Sequence, residues 1–206
     1  GPLAGPAIRT LSLANPEQFL RNARLATAQG EAGRNAALAH VLRVERDIQQ
    51  SADRLNPGRD FATSFPAGAF GNSVKSAAQL AANPQGVSAI RLTLSGYDTH
   101  ANQLATQAAL HRQLAEGLMA LRAALREIGR WDDTIVATYA EFGRRAQENQ
   151  SGGTDHGTAA PHFVMGGAVK GGLVGAAPRL DRLDATGNLV FTTDFRAYYA
   201  GLLASA

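Results

Sequence analysis

The spacing of hydrophobic residues divides the chain into a helical first part and a second part that mixes strands with helices. Apolar residues recur every three or four positions from Ala36 to Leu55, which predicts a helix that ends at Asn56-Pro57-Gly58. A shorter helix is predicted near Val74 to Ala82. We therefore interpret residues 1–85 as a helical region that packs on the rest of the chain within one structural domain.

Residues 86–206 alternate between two kinds of hydrophobic pattern. Three apolar runs are short enough to be strands: Val87 to Leu94, Asp133 to Ala140 and His162 to Met165. A helix from about Asn102 to Ile128 lies between the first two runs, and a capped helix closes the chain from Thr193 or Asp194 to Leu203. Because strand, helix and strand in this order form a right-handed βαβ unit, we expect an α/β fold. Its sheet would be mostly parallel and sandwiched by helices.

Composition excludes several classes of protein. Hydrophobic residues make up 45% of the chain and charged residues 18%, which is enough apolar surface for a packed core. No apolar run reaches the length of a membrane span, and without cysteine there is no disulfide scaffold or thiolate site. The net charge of +3 is spread along the chain, so no nucleic-acid partner is expected.

Polar residues follow the first two predicted strands. Asp98 and His100 come directly after the first strand, and Glu141 comes at the end of the second. Because parallel strands place their carboxyl ends at one edge of a sheet, these side chains would converge there. A carboxylate with an imidazole favours zinc or manganese over calcium or magnesium. The alternative is that Asp98 caps the following helix and His100 bonds a backbone group.

Glycines surround a second pair of candidate ligands, Asp155 and His156. Nine of the 22 glycines lie between Gly143 and Gly175. Glycine lets a backbone turn tightly, so this segment either folds around an ion or is a surface loop. Arg144 and Arg145 would hold an anionic substrate through their planar guanidinium groups, or are simply solvated. No catalytic nucleophile is identified.

Five motifs in the second part occur in a fixed order: Gly96 to Gln103, Glu141 to Arg145, Gly153 to Gly157, Val164 to Gly172 and Thr192 to Arg196. Together they closely resemble the bacterial family of domain-of-unknown-function 1501 proteins, an alkaline-phosphatase-like and sulfatase-like branch. The resemblance covers roughly Ile90 to Leu203 and implies a metal-dependent hydrolase of phosphate or sulfate esters. It implies an anionic small molecule or polymer ester as substrate and an extracytoplasmic location, although no export signal is present in this sequence.

The resemblance also implies roles for individual residues. Asp98 and His100 look like ligands of one divalent metal, Glu141 stands where the superfamily has an aspartate, and His156 resembles its late histidine ligand, with Asp155 helping. Phe142 departs from this pattern because its side chain cannot bind a metal.

The family's usual first strand, which carries an early metal ligand, has no counterpart in this sequence. The nucleophile that usually follows that strand in the superfamily has none either. We therefore expect a piece of a longer family member that is inactive alone, with open sheet edges that a homodimer would cover. The alternative is a non-catalytic extracytoplasmic binding or structural module with the same fold.

Overall fold

The computed structural model describes residues 16–23, 35–54, 59–83 and 87–204. Within these ranges the chain forms five helices and four short strands. The helices are α1 (Pro16–Ala23), α2 (Ala36–Arg54), α3 (Ala69–Ala81), α4 (Gln103–Glu127) and α5 (Phe195–Ala204). The strands are β1 (Ile135–Ala137), β2 (Gly143–Glu148), β3 (Thr154–Gly157) and β4 (Val164–Gly166).

Two compact units share these elements. One unit comprises Gly1–Thr93 with Gly117–Glu127, and the other comprises Leu94–Glu116 with Ile128–Ala206, so that α4 contributes to both. The division into residues 1–85 and 86–206 stays a prediction. No helix in the described ranges combines the length and the apolar character that crossing a membrane requires.

Within the described residues of the first unit, α2 and α3 overlap the two segments in which the hydrophobic periodicity predicts helices. The Asn35 side chain caps α2, since its Oδ1 accepts hydrogen bonds from the Ala37 and Leu38 amides at 3.1 Å each. The buried apolar residues of this unit are small or branched and include Leu42, Val74, Ala78, Ala124 and Leu125. α3 begins at Ala69, five residues before the predicted start, and the predicted stop of α2 at Asn56-Pro57-Gly58 lies outside the described residues.

The predicted parallel sheet is wrong. The second unit contains two antiparallel pairs instead: β1 with β4, in the register Val136↔Met165, and β2 with β3, in the register Arg144↔His156. The β2–β3 hairpin is inserted in the chain between β1 and β4. Four short antiparallel strands in two separate sheets therefore replace the α/β sandwich.

The predicted parallel sheet does not form because the first predicted strand, Val87–Leu94, is absent. Val87–Leu94 has the apolar composition of a strand, but no described strand pairs with it, and its Val87 and Ile90 side chains are exposed. A β-strand is stabilised by ladder hydrogen bonds and by packing against neighbours, so composition alone does not produce one. Without this strand, no βαβ crossover forms.

The other predicted elements of the second unit are present in shorter form. β1 occupies the middle of the run from Asp133 to Ala140, and β4 overlaps the end of the third predicted strand. α4 matches its prediction within a residue at each end. α5 is attached to the sheet region by the Tyr198 hydroxyl, which donates to the Thr138 carbonyl at 2.9 Å.

Candidate metal centre

A tight turn joins β2 and β3 and lies beside the candidate site. The Asn149 Oδ1 atom accepts hydrogen bonds from the Ser151 and Gly153 amides at 2.9 and 3.1 Å. The Asn149 amide also donates to the Gly153 carbonyl at 2.8 Å. Asparagine and glycine are the residues that such turns favour, because asparagine bonds its own backbone and Gly152 adopts φ +69°.

The turn contacts the segment that leads into α4. The Asn149 side-chain amide donates to the His100 carbonyl at 3.0 Å, and the Gln103 amide donates to the Gly152 carbonyl at 2.9 Å. Gly153 lies so close to His100 that a Cβ at this position would overlap the His100 carbonyl group. The hairpin and the Asp98–His100 segment are therefore held together by backbone contacts.

Three potential metal ligands meet where these segments join. Within the described chain, Asp98, His100 and His156 form a group whose donor atoms all lie within 4.8 Å of one another. The Nε2 atoms of His156 and His100 lie 2.7 and 3.0 Å from the same atom, Oδ1 of Asp98. All three side chains are about half exposed, so that a small ligand has access to the group.

Asp98 is ionised in this environment. The hydrogen bond from His156 is the largest effect and lowers the pKa of the Asp98 carboxyl; burial opposes it, and the nearby charges of His100, His156 and Arg144 each lower the pKa further. An ionised carboxylate is a metal ligand, whereas a protonated one is a poor one. The charge state of Asp98 thus suits a cation.

Arg144 connects the two segments from the interior of the site. Its guanidinium donates to the carbonyls of Tyr97 and Thr154 and lies 3.6 Å from the Asp98 carboxylate, with only 16% of its side chain exposed. Each terminal nitrogen thus donates to one backbone carbonyl, whereas the Nε atom of Arg144 is buried without a hydrogen-bond partner among the described residues. Arg145 is the next residue of β2 and is partly buried, and its Nε atom has no hydrogen-bond partner among the described residues.

Asp155 and Glu141 lie outside the group of three. Oδ1 of Asp155 is 3.5 Å from Nδ1 of His100, the ring nitrogen that faces away from Asp98. Glu141 is exposed and lies two residues before the start of β2. The hairpin, rather than the ends of two parallel strands, brings Asp98, His100, Asp155 and His156 together.

Phe142 is a site residue that sequence reasoning missed. Its ring stacks on the His156 ring with centroids 3.8 Å apart and planes 8° from parallel, and the Arg144 guanidinium carbon lies 5.0 Å from the Phe142 centroid. The sequence held a signal, because Asn149 and two glycines between runs of strand length favour a hairpin. In a hairpin Phe142 and Arg144, two residues apart, share a face.

The donor set fits a divalent transition metal. Two imidazole nitrogens and one carboxylate oxygen are ligands that zinc, manganese and iron accept, whereas calcium and magnesium prefer oxygen alone. The three residues would hold the ion through His100 Nε2, His156 Nε2 and Asp98 Oδ1, since these atoms already converge.

Comparison with known proteins assigns a family but no activity. The sequence profile of the family described as "Protein of unknown function (DUF1501)" matches residues 8–199. No curated protein and no solved structure matches the chain significantly.

Proposed function

We propose that this chain, which belongs to the family Protein of unknown function (DUF1501), binds one divalent transition metal through Asp98, His100 and His156. The observation that carries the proposal is the convergence of two imidazole nitrogens on one carboxylate oxygen, at 2.7 and 3.0 Å. Three protein ligands are typical of catalytic zinc sites, which keep a position open for water or substrate, whereas structural sites have four.

The reaction that we propose is hydrolysis of a phosphate or sulfate ester, as in the alkaline-phosphatase-like and sulfatase-like enzymes that the motifs resemble. A bound divalent metal supplies the Lewis-acid chemistry for such a reaction. The carboxylates of Asp98 and Asp155 carry two negative charges, and the Arg144 guanidinium carries one positive charge. A divalent cation therefore makes the net charge of these groups positive. A net positive, solvent-accessible site favours an anionic substrate.

The side chains around the ligands hold them in place. The terminal nitrogens of Arg144 donate to two backbone carbonyls, and one of them lies beside the Asp98 carboxylate. Arg144 therefore has the role of fixing the Asp98 segment. The substrate anion is then bound by the metal rather than by Arg144.

A second function, metal-dependent binding without catalysis, is favoured by the hydroxyl groups near the site. The Thr99 hydroxyl accepts a hydrogen bond from the Gln107 side chain at 3.0 Å, and Thr99 is buried. The Thr154 hydroxyl donates to Oε1 of Gln103 at 2.9 Å. Both hydroxyls are engaged, and neither is free to attack an ester.

Metal titration of the purified chain tests the proposed site. After dialysis against a chelator, we expect zinc and cobalt(II) to bind with about one equivalent each, and His100→Ala or His156→Ala to abolish binding. His40→Ala is the matched control, since His40 is an exposed histidine on α2 in the other unit. Equal metal binding by wild type and His100→Ala would contradict the proposal.

Activity assays separate the two candidate functions. Hydrolysis of an aryl phosphate or aryl sulfate that requires added metal and is lost in His156→Ala would support the hydrolase. Stoichiometric metal binding together with no turnover of either ester would leave the binding function and reject the catalytic one.

A further inference from the structure

We propose that Phe142 is a positioning residue that fixes the ring of His156 for metal binding. This inference rests on the proposed function, because it assigns His156 as a ligand. Phe142 cannot bind a metal itself, so any effect that it has on the site must act through its neighbours.

The contact between the two rings is close and nearly parallel. Their centroids are 3.8 Å apart and their planes differ by 8°, whereas aromatic pairs in proteins are commonly about 4.5–7 Å apart. The imidazole cannot rotate about its Cβ–Cγ bond without one edge moving into the face of Phe142. The stack therefore fixes the plane of the imidazole, and within that plane the contact with Asp98 Oδ1 at 2.7 Å sets the position of His156 Nε2.

Phe142 is itself held by a rigid neighbour. The guanidinium carbon of Arg144 lies 5.0 Å from the Phe142 centroid, within the range of a cation–π contact. Arg144 is fixed by its hydrogen bonds to the Tyr97 and Thr154 carbonyls, and its backbone pairs with His156 across the hairpin. The guanidinium, the phenyl ring and the imidazole thus form one chain of contacts that ends at a ligand atom.

This arrangement has a consequence for metal affinity. A histidine that is already oriented loses less conformational freedom when it binds an ion, so a site with the stack binds more tightly than one without it. Neighbours that orient metal ligands typically contribute about 10–100-fold to metal affinity. For a single ring contact, we expect the lower end of that range.

Three variants test the inference. Phe142→Leu keeps an apolar side chain but removes the planar face, and Phe142→Tyr restores that face. Phe163→Leu is the matched control, because Phe163 is an exposed phenylalanine, 58% accessible, in the same unit. Thermal unfolding of each variant identifies any that does not fold.

Two measurements are made on these variants. Proton NMR of the metal-free chain should show the His156 ring protons shifted upfield by Phe142, a shift lost in Phe142→Leu and kept in Phe142→Tyr. Cobalt(II) titration should show affinity about 10-fold lower in Phe142→Leu, near wild type in Phe142→Tyr, and unchanged in Phe163→Leu.

The outcomes distinguish this inference from the proposed function. If the wild-type chain binds cobalt(II) and Phe142→Leu binds it equally well, only the positioning role is overturned. If the wild-type chain binds no cobalt(II), the proposed function is overturned and the positioning role with it. Loss of affinity in Phe142→Leu that Phe142→Tyr does not rescue also contradicts the role of the planar ring.

Discussion

Replacement of Gly153 by alanine should weaken metal binding through a steric effect on His100. A Cβ at this position would overlap the carbonyl carbon and oxygen of His100 and approach the Ala101 amide to 2.7 Å, where ordinary contacts are 3.4–4 Å. Because these are backbone atoms, the hairpin and the His100 segment must separate by about 1 Å to restore contact distances. Such overpacking costs about 1–3 kcal/mol of stability.

The displacement should appear in the metal affinity as well. We expect Gly153→Ala to bind cobalt(II) about 10–100-fold more weakly than wild type in a calorimetric titration, because His100 moves away from His156. Gly152→Ala is the matched control. Gly152 has φ +69°, so alanine there is strained by about 1–2 kcal/mol, but its Cβ would meet nothing closer than 3.7 Å. Wild-type affinity in Gly153→Ala would refute the claim that this contact positions His100.

Three further predictions concern other contacts. Asn149→Ala removes the 3.0 Å hydrogen bond to the His100 carbonyl and should lower cobalt(II) affinity about 10-fold in the same titration; an unchanged affinity would mean that the turn does not hold this segment. Leu125→Ala should lower the free energy of unfolding by about 2–5 kcal/mol, because Leu125 is buried with only 2% of its surface exposed. Denaturant titration measures this change, and a loss below about 1 kcal/mol would contradict the burial of Leu125. Hydrogen bonds from the Asn188 amide and from the hydroxyl and amide of Thr186 hold the pKa of Asp184 at about 2, so their stabilisation is complete above the ordinary aspartate pKa and is lost as pH falls through about 2. Amide NMR should show that midpoint, and one near the ordinary value of about 4 would contradict it.

The helices were predictable from sequence because their signal is local. Leucines recur every three or four positions from Leu114 to Leu125 in α4, and α2 begins beside an asparagine cap. The strands were less predictable, since a strand needs a partner that lies elsewhere in the chain. Val87–Leu94 has the composition of a strand and no described partner, whereas the polar β2 pairs with residues only 6 to 14 positions away in the chain.

Three of the five candidate ligands named from the sequence lie together in the structure, but the way in which they are brought together was not predictable. Asp98, His100 and His156 were candidates because carboxylate and imidazole beside glycine suit a metal, and the structure places their donor atoms together. The predicted cause, a shared edge of a parallel sheet, was wrong. A turn hydrogen-bonded by Asn149 and a close contact at Gly153 bring the ligands together, and such contacts depend on tertiary packing that no sequence period encodes.

X-ray absorption spectroscopy of the zinc-loaded chain tests directly whether His100 and His156 bind the metal together with Asp98. Scattering from imidazole rings reports how many histidines bind the ion. We expect two imidazole nitrogens, with oxygen in the remaining positions, and loss of one imidazole in His100→Ala or His156→Ala. A zinc environment of oxygen atoms alone, or one that neither substitution changes, would contradict it.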